Sequence, residues 1–219
     1  MQLDYSDWAA PVENLGPGRR LILWVRGCPL ACAGCMTPEL WDAAPANLHR
    51  SVEELAVQLA PLLADLDGFS ISGGEPTLQA APLTHLIQLL RAQSELKDLE
   101  VLSYSGFTLE ELGARGAQVA AYLAQLDVLI DGRFEQNAAN DLAWRGSDNQ
   151  RVHLLSARAQ AKYADLVETP MPEPRPLGVQ ALDGGHVRLI GIPKRGDLAA
   201  YRAAMAAAGV RVRADMPQK

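Results

Sequence analysis

Short apolar runs alternate with amphipathic segments along the first two thirds of the 219-residue chain. Four runs have the length and composition of buried strands, at residues 19–26, 68–72, 99–104 and 126–130. Apolar residues at helical spacing predict helices between them, over residues 52–66, over residues 80–93 and after residue 108. Ser51 and Thr108 each precede a glutamate by three positions, which is the spacing of a capping box at a helix start.

This alternation predicts an α/β fold whose parallel strands are joined by helical crossovers. In such sheets, ligands bind at the carboxyl ends of the strands. The distinctive motifs of this chain all follow predicted strands: a cysteine-containing loop at residues 27–50, Gly73-Gly74-Glu75-Pro76, Ser103-Tyr104-Ser105-Gly106 and Asp131-Gly132-Arg133-Phe134. We therefore expect one functional site at that edge of the sheet.

The pattern changes beyond residue 154. Four prolines fall within residues 169–177, which is typical of a stiff linker or surface loop. Two apolar runs around Asp183-Gly184-Gly185 predict a hairpin, followed by an alanine-rich helix over residues 197–208 and a short strand over 209–212. We divide the chain into a core of residues 1–154, a connecting helix and proline-rich linker of residues 155–178, and a hairpin–helix extension of residues 179–219.

Composition and charge exclude several classes of protein. Hydrophobic residues make up 48% of the chain and charged residues 21%, as in an ordinary globular domain. A net charge of −6 argues against general nucleic-acid binding. No run approaches the roughly 20 apolar residues that span a bilayer, and the N-terminus lacks the pattern of a secretory signal. We expect a cytoplasmic protein that binds neither membranes nor nucleic acids.

The strongest chemical signal is the group of three cysteines, Cys28, Cys32 and Cys35, which are the only cysteines of the chain. Thiolates are the usual ligands of iron–sulfur clusters, and three of them leave one iron of a four-iron cluster open to a substrate. One alternative is a structural zinc site with His49 as fourth ligand, although structural zinc sites usually have a second pair of ligands. The other alternative is three free thiols. A further cluster with cysteine ligands is excluded, since no cysteine remains.

The Cys-x3-Cys-x2-Cys loop resembles that of the radical S-adenosylmethionine enzymes. Neighbouring motifs resemble, more specifically, the activating enzymes of glycyl-radical proteins, of the anaerobic (class III) ribonucleotide reductase type. These motifs, within residues 15–154, are Gly16-Pro17-Gly18 with Arg20, Pro38-Glu39-Leu40-Trp41, Ser72 to Pro76, Tyr104 to Thr108, Asp127 to Phe134 and Arg145 to Arg151. The chain departs from the family at Met36-Thr37, and about 65 residues follow the region of resemblance.

The resemblance implies a partial (β/α) barrel with a parallel sheet, to which this chain adds a small C-terminal α+β extension. It implies that the three cysteines bind one [4Fe-4S] cluster, and that the open iron binds S-adenosylmethionine. Reductive cleavage then yields a 5′-deoxyadenosyl radical, which abstracts hydrogen from a glycine of a partner enzyme. The electron would come from a flavodoxin- or ferredoxin-type protein, and no catalytic side chain is needed beyond the cofactors. The alternative function is a stand-alone enzyme that modifies a small molecule or peptide.

The resemblance also implies roles for individual residues. Glu75 would bind the ammonium group of S-adenosylmethionine, and Asp131 would lie near the cofactor, in some members with a monovalent cation. The full set of expected cofactor-binding residues is Gly34, Met36, Gly73, Gly74, Glu75, Pro76, Ser103, Ser105 and Asp131. At the rim we expect Arg145, Ser147, Asn149, Gln150 and Arg151. Residue chemistry alone leaves open a serine turn at Ser103 and Ser105, an Asp-Gly turn at Asp131, and a polar surface loop at residues 145–151.

Overall fold

The computed structural model describes residues 1–45, 49–172, 177–181, 187–193 and 196–209. Its strands are β1 (Gln2–Leu3), β2 (Tyr5–Val12), β3 (Arg20–Val25), β4 (Arg50–Ser51), β5 (Gly68–Gly73), β6 (Val101–Tyr104), β7 (Val128–Asp131), β8 (Arg151–Leu154), β9 (Gly178–Ala181) and β10 (Val187–Ile190). Its helices are α1 (Val52–Leu63), α2 (Ala80–Arg91), α3 (Leu109–Gly113), α4 (Ala117–Leu123), α5 (Ala157–Tyr163) and α6 (Asp197–Ala207). None of the described helices is long and apolar enough to cross a membrane.

A six-stranded sheet in the order β2-β3-β5-β6-β7-β8 forms the centre of the molecule. The four inner strands are parallel, and the edge strands β2 and β8 run antiparallel to their neighbours. The predicted α/β class and parallel sheet are thus confirmed, while the closure of the sheet into a partial barrel stays a prediction. Ser51 and Thr108 cap the starts of α1 and α3, as predicted, and the capping box at Thr108 is complete.

The two faces of the sheet are covered differently. Successive side chains of a strand point to opposite faces, and in β3 Leu21, Leu23 and Val25 pack in the cluster formed with α1, α2 and α4. Ile22 and Trp24 lie in a separate cluster that includes Ile190 of the hairpin. Farther along the same sheet, a third cluster joins β6 and β7 to α5 through Leu102, Val128, Ile130, Ala159 and Tyr163.

A buried ion pair between Arg20 and Glu100 connects α5 to the sheet through Tyr163. Arg20 is fully buried, and its Nη1 lies 2.8 Å from Oε1 of Glu100. The same guanidinium donates to Ser70 Oγ at 2.7 Å, and the Tyr163 hydroxyl donates to Glu100 at 2.8 Å. Buried charges are tolerated when they are paired and hydrogen-bonded in this way. The polar core is therefore completed by a residue beyond position 154.

The C-terminal hairpin packs on the sheet but does not extend it. Strands β9 and β10 pair with each other as a separate two-stranded sheet. Ile190 is buried, and Arg188 contacts Asp7 through an ion pair of 2.7 Å and lies 4.9 Å from the ring centre of Trp24. The predicted hairpin turn, Asp183-Gly184-Gly185, lies outside the described residues. The strand predicted at residues 209–212 also lies outside them, except for Gly209.

Candidate active site

The cysteine loop is closed at its base by main-chain hydrogen bonds. The Gly27 amide donates to the Leu40 carbonyl at 2.9 Å, and the Cys28 amide donates to the Trp41 carbonyl at 2.8 Å. A short 3₁₀ turn, Pro38–Leu40, positions these acceptors. Inside the loop, the Cys35 amide donates to the Cys32 carbonyl at 3.1 Å. The loop that carries the thiols is thus held by its own backbone.

All three cysteines are partly buried free thiols that line one cavity of about 650 Å³. Burial raises the pKa of the Cys28 and Cys32 thiols, and coordination to a metal would reverse this by deprotonating them. Among the described residues, no group of three Cys, His, Asp or Glu side chains converges on a single metal ion. His49 instead lies 3.5 Å from Asp4 Oδ2. The described residues that line the cavity include three thiols and no histidine, which fits a cluster better than zinc.

Gly73, at the end of β5, and Gly74, which follows it, allow the loop after β5 to touch the cysteine loop. The Gly74 amide donates to the Val25 carbonyl at 2.7 Å, and the Glu75 amide donates to the Gly27 carbonyl at 2.8 Å. Gly73 has φ of +109°, and a Cβ there would lie 2.4 Å from the Val25 carbonyl oxygen. A Cβ on Gly74 would lie 2.5 Å from the Gly27 carbonyl oxygen. Only glycine fits at these two positions.

Glu75 is buried between the loop that follows β5 and the loop that follows β6. Its Oε1 accepts hydrogen bonds from Ser105 Oγ at 2.9 Å and from the Thr77 hydroxyl at 2.6 Å and amide at 3.0 Å. Its Oε2 accepts from the Gly106 amide at 2.8 Å. The carboxylate therefore joins two strand ends while also lining the cavity. It places a negative charge where the sequence predicts a contact with an ammonium group.

The structure brings about half of the predicted site residues to the cavity. Ser103 lies away from it, because its side chain faces α4 and accepts a hydrogen bond from Tyr122 at 2.8 Å. Pro76 is buried at the start of a 3₁₀ turn, and Arg145 is directed to Glu168 through two contacts of 2.9 Å. The predicted residues that do line the cavity, besides the cysteines, are Gly34, Met36, Gly73, Gly74, Glu75, Ser105 and Gln150.

Asp131 also lies outside the cavity lining, because protein groups surround its carboxylate. Arg151 contacts both of its oxygens, at 3.2 and 2.7 Å, and the Leu109 amide donates at 2.6 Å. His153 Nε2 is 2.9 Å away. Burial alone would raise the pKa of Asp131, but the hydrogen bonds from Arg151 and Leu109, together with the nearby His153 ring, outweigh it and hold this pKa below its usual range. The cation next to Asp131 in this structure is the Arg151 guanidinium.

The polar loop before β8 supports the segment that follows β7. Gln150 accepts from the Gly146 amide at 2.9 Å and donates to the Gly132 carbonyl at 3.0 Å. Asn149 donates to the Arg133 carbonyl at 2.7 Å, and Ser147 Oγ accepts from the amide of residue 135 at 3.2 Å. Three of the side chains predicted at the rim, Ser147, Asn149 and Gln150, thus hold the cavity wall in place.

Several lining residues were not predicted from the sequence. Phe134 and Gln136 follow the Asp131-Gly132 motif, so their position after a strand was an available signal. The residues that the extension contributes are Gly191, Ile192, Pro193 and Gly196. These are small or apolar residues without a chemical signature, and only the folded chain brings them to the site.

Comparisons with known proteins agree with this geometry. Residues 14–153 match the family model described as a 4Fe-4S single cluster domain. An anaerobic ribonucleoside-triphosphate reductase-activating protein of Vibrio cholerae is 37% identical over 147 residues, covering 64% of this chain and 91% of that protein. The protein of the same name from Escherichia coli K12 is 36% identical over 151 residues, covering 66% of this chain and 95% of that protein.

The protein of that name from bacteriophage T4 is 32% identical over 141 residues, covering 63% of this chain and 85% of the phage protein. All three relatives are thus covered over most of their length, whereas about a third of this chain lies outside each match. The family match also includes the cysteine loop and the glycine-rich loop that meet at the cavity. The chain therefore belongs to the family of anaerobic ribonucleoside-triphosphate reductase-activating proteins, which are iron–sulfur activating enzymes of the radical S-adenosylmethionine type.

Proposed function

We propose that this chain activates an anaerobic ribonucleotide reductase by generating a glycyl radical on it. The observation that supports this most is the shared cavity of Cys28, Cys32, Cys35 and the Gly73-Gly74-Glu75 loop, in a chain of the activating-protein family. The chemistry supplied by a bound, reduced [4Fe-4S] cluster is one-electron cleavage of S-adenosylmethionine into methionine and a 5′-deoxyadenosyl radical, which abstracts hydrogen from the glycine.

The residues of the chain have three tasks in this reaction. The cysteine thiolates hold the cluster, because they are the soft donors that iron–sulfur clusters require. Gly73 and Gly74 leave main-chain groups without side chains at the cavity, so that a cofactor can approach the backbone. Glu75 adds a negative charge that attracts the positively charged S-adenosylmethionine.

Apolar side chains protect the reaction from water. Leu30, Trp41 and Phe134 line the cavity together with the cysteines. Excluding water from such a site prevents side reactions of a reactive intermediate. A monovalent cation at Asp131 is not part of this proposal, because Arg151 already neutralises that carboxylate.

The partners in this proposal are a glycyl-radical protein, which supplies the glycine, and a flavodoxin- or ferredoxin-type protein, which supplies the electron. A second candidate is a stand-alone enzyme that modifies a small molecule or a peptide. One observation favours it: residues of the C-terminal extension line the cavity, so the site is more enclosed than the family-matched region alone would make it.

Anaerobic reconstitution with iron and sulfide, followed by reduction, tests the proposal. We expect 5′-deoxyadenosine to form from S-adenosylmethionine. With the reductase present, we expect a glycine-centred signal in electron paramagnetic resonance that changes when the glycine is deuterated at Cα. Cofactor cleavage without any protein radical would favour the second candidate, and the absence of cleavage from a fully loaded cluster would contradict both.

A further inference from the structure

Thr37 starts the short 3₁₀ turn Pro38–Leu40, but its hydroxyl does not cap that turn. A threonine in this position usually accepts a hydrogen bond from a main-chain amide two or three residues later. Here the backbone closes the turn, since the Leu40 amide donates to the Thr37 carbonyl at 3.0 Å. The Thr37 hydroxyl therefore does not have the local role that its position predicts.

The hydroxyl instead lies between two groups of the candidate site. Thr37 Oγ1 is 3.9 Å from Cys35 Sγ and donates to the Gly73 carbonyl at 3.3 Å. All three residues line the same cavity, and Thr37 belongs to the departure from the family pattern at positions 36 and 37. A hydroxyl carries one hydrogen, so it can donate fully to only one of these two acceptors. The acceptor that it favours depends on the charge of the sulfur.

A sulfur with a negative charge is a stronger acceptor than a neutral thiol. Hydrogen bonds with an ionised partner are roughly twice as strong as those between neutral groups. Cysteine binds metals as the thiolate, so Cys35 with a bound cluster carries a charge that the Gly73 carbonyl lacks. The Thr37 hydrogen is then drawn towards the sulfur, and the hydroxyl keeps its proton throughout.

We propose that Thr37 acts on the bound cluster through Cys35, by donating a hydrogen bond to the thiolate that makes the cluster easier to reduce. This inference rests on the proposed function, since it concerns the [4Fe-4S] cluster of that reaction. Reduction adds one electron, supplied by the flavodoxin- or ferredoxin-type partner, and hydrogen bonds to the sulfurs are among the factors that set the potential. The donor also offsets Glu75, whose negative charge in the same cavity opposes the addition of an electron.

The other two sulfurs are contacted by the main chain. Amides of the cysteine loop donate to Cys28, and the Phe134 amide donates to Cys32. A main-chain donor stays in place when a side chain is exchanged, whereas the Thr37 hydroxyl can be removed by one substitution. Exchanging threonine for valine therefore isolates a single contact between a donor and a sulfur.

The expected effect is a difference between two redox states that both accept the hydrogen bond. We expect loss of the hydroxyl to lower the equilibrium constant for reduction about 3- to 10-fold, the usual weight of one hydrogen bond. At about 59 mV per tenfold for one electron, the midpoint potential then becomes more negative by about 30–60 mV.

The test uses the full-length protein, reconstituted anaerobically with iron and sulfide. Thr37→Val keeps the shape of the side chain without the hydroxyl, and Thr37→Ser keeps the hydroxyl. Thr37→Ala is a second hydroxyl-free variant, in case valine prevents assembly of the cluster. Thr84→Val is the matched control, because the Thr84 hydroxyl donates to the Ala80 carbonyl at 2.8 Å within α2 and Thr84 is not among the cavity-lining residues.

Two measurements are made on each protein without S-adenosylmethionine. A redox titration followed by electron paramagnetic resonance gives the midpoint potential. Electron–nuclear double resonance of the reduced protein, in H₂O and in D₂O, detects the exchangeable protons close to the cluster. We expect the hydroxyl-free variants to have the more negative potential and to lack one exchangeable-proton coupling. Thr37→Ser and Thr84→Val should stay close to wild type in both measurements.

The two expected changes together, confined to the hydroxyl-free variants, support the inference. A wild-type potential or a complete set of couplings in these variants overturns it, because the hydroxyl then only joins the two loops through Gly73. The same shift in Thr37→Ser or Thr84→Val overturns it as well. So does loss of the cluster from both hydroxyl-free variants, which would assign the hydroxyl to assembly.

These results leave the proposed function standing, because none of them requires or excludes cleavage of S-adenosylmethionine. The proposed function fails separately if reduced, fully loaded wild-type protein forms no 5′-deoxyadenosine, and the comparison of potentials then still decides the role of Thr37. A wild-type protein that assembles no cluster overturns the proposed function and the inference with it.

Discussion

At the scale of single residues, the three cysteines have a role that no neighbour can replace. They are the only thiols of the chain, and they are the candidate cluster ligands that line the cavity. We expect Cys28→Ala, Cys32→Ala and Cys35→Ala each to abolish cleavage of S-adenosylmethionine and to lower bound iron and sulfide. Ala33→Ser, an exposed change in the same loop, is the control and should retain both. Wild-type cleavage by any cysteine variant would contradict the assignment of that ligand.

Glu75 combines a structural and an electrostatic role. Replacing it with Gln puts an amide NH₂ where an oxygen now accepts hydrogen bonds, and it removes the charge. We expect unfolding to become easier by about 1–3 kcal/mol. The affinity for S-adenosylmethionine should fall about 10- to 150-fold, which corresponds to about 1.5–3 kcal/mol for a charge-assisted hydrogen bond.

The measurements are chemical denaturation and titration of the reconstituted protein with S-adenosylmethionine, and the cluster absorbance should survive. Glu39→Gln, which removes an exposed charge from the cysteine loop, should change neither quantity much. Unchanged affinity in Glu75→Gln would mean that this residue only joins the two strand ends.

At the scale of elements, the junction between β3 and β5 depends on Gly73. A Cβ there would meet the main chain of Val25, which cannot move without opening the sheet. We expect Gly73→Ala to lower the free energy of unfolding by about 1–3 kcal/mol or more. Gly113→Ala is the matched control, because nothing lies within 4 Å of its Cβ position at the end of α3. Equal stability of the two variants would refute the close approach of the loops.

The extension can be tested as a unit. Truncation after residue 178 removes the hairpin and Ile192, but leaves the central sheet with the same edge strands. We expect a folded truncation to form 5′-deoxyadenosine without coupling it to hydrogen abstraction from the substrate. The exposed Ile22 and Trp24 will lower solubility, so circular dichroism must verify folding. Full coupling, or complete loss of cofactor cleavage in a folded protein, would contradict this role.

The sequence predicts elements where local signals are strong. The four inner strands are short runs rich in apolar residues, and Thr108 starts its helix with a complete capping box. Strands β2 and β8 were missed for physical reasons. β2 contains a proline and mixes polar with apolar residues, and β8 has only four residues, of which Arg151 and His153 are polar. Such edge strands are defined by their neighbour in the sheet and not by their own periodicity.

The site was predictable to a similar degree. The cysteine and glycine-rich loops could be identified because their residue types and spacing are specific to the chemistry. Ser103 was misplaced because strand register decides which face a side chain occupies, and motif position does not reveal it. Asp131 was expected at the cofactor, but its cationic partner Arg151 comes from β8, a strand that the sequence did not indicate.

At the scale of the whole molecule, buried carboxylates at both ends of β7 make stability depend on pH. Burial alone would raise the pKa of Asp127, but hydrogen bonds from Ser156, Arg158 and the Val101 amide hold it below 3.8, its unperturbed value. Asp131 has a lowered pKa for a similar reason. Their stabilisation is complete above about pH 4 and is lost as the pH falls through the lower folded-state pKa values.

We therefore expect the free energy of unfolding of the wild type to be larger than that of Asp131→Asn above pH 4. This difference in free energy should shrink as the pH falls below 4. The measurement is urea denaturation of both proteins at each pH, followed by circular dichroism. Comparing the two proteins at the same pH cancels the acid lability of any cluster. A difference that stays constant down to pH 2 would show that Asp131 does not contribute through its charge.

The backbone hydrogen bonds that close the cysteine loop have a consequence for how the protein responds to oxygen. The bonds from Gly27 to Leu40 and from Cys28 to Trp41 involve no thiol, so they do not depend on what the cysteines hold. Oxygen that destroys an iron–sulfur cluster should then leave the shape of this loop intact. Damage would be limited to replaceable inorganic parts, and recovery would require delivery of iron and sulfide to the existing chain instead of synthesis of a new one.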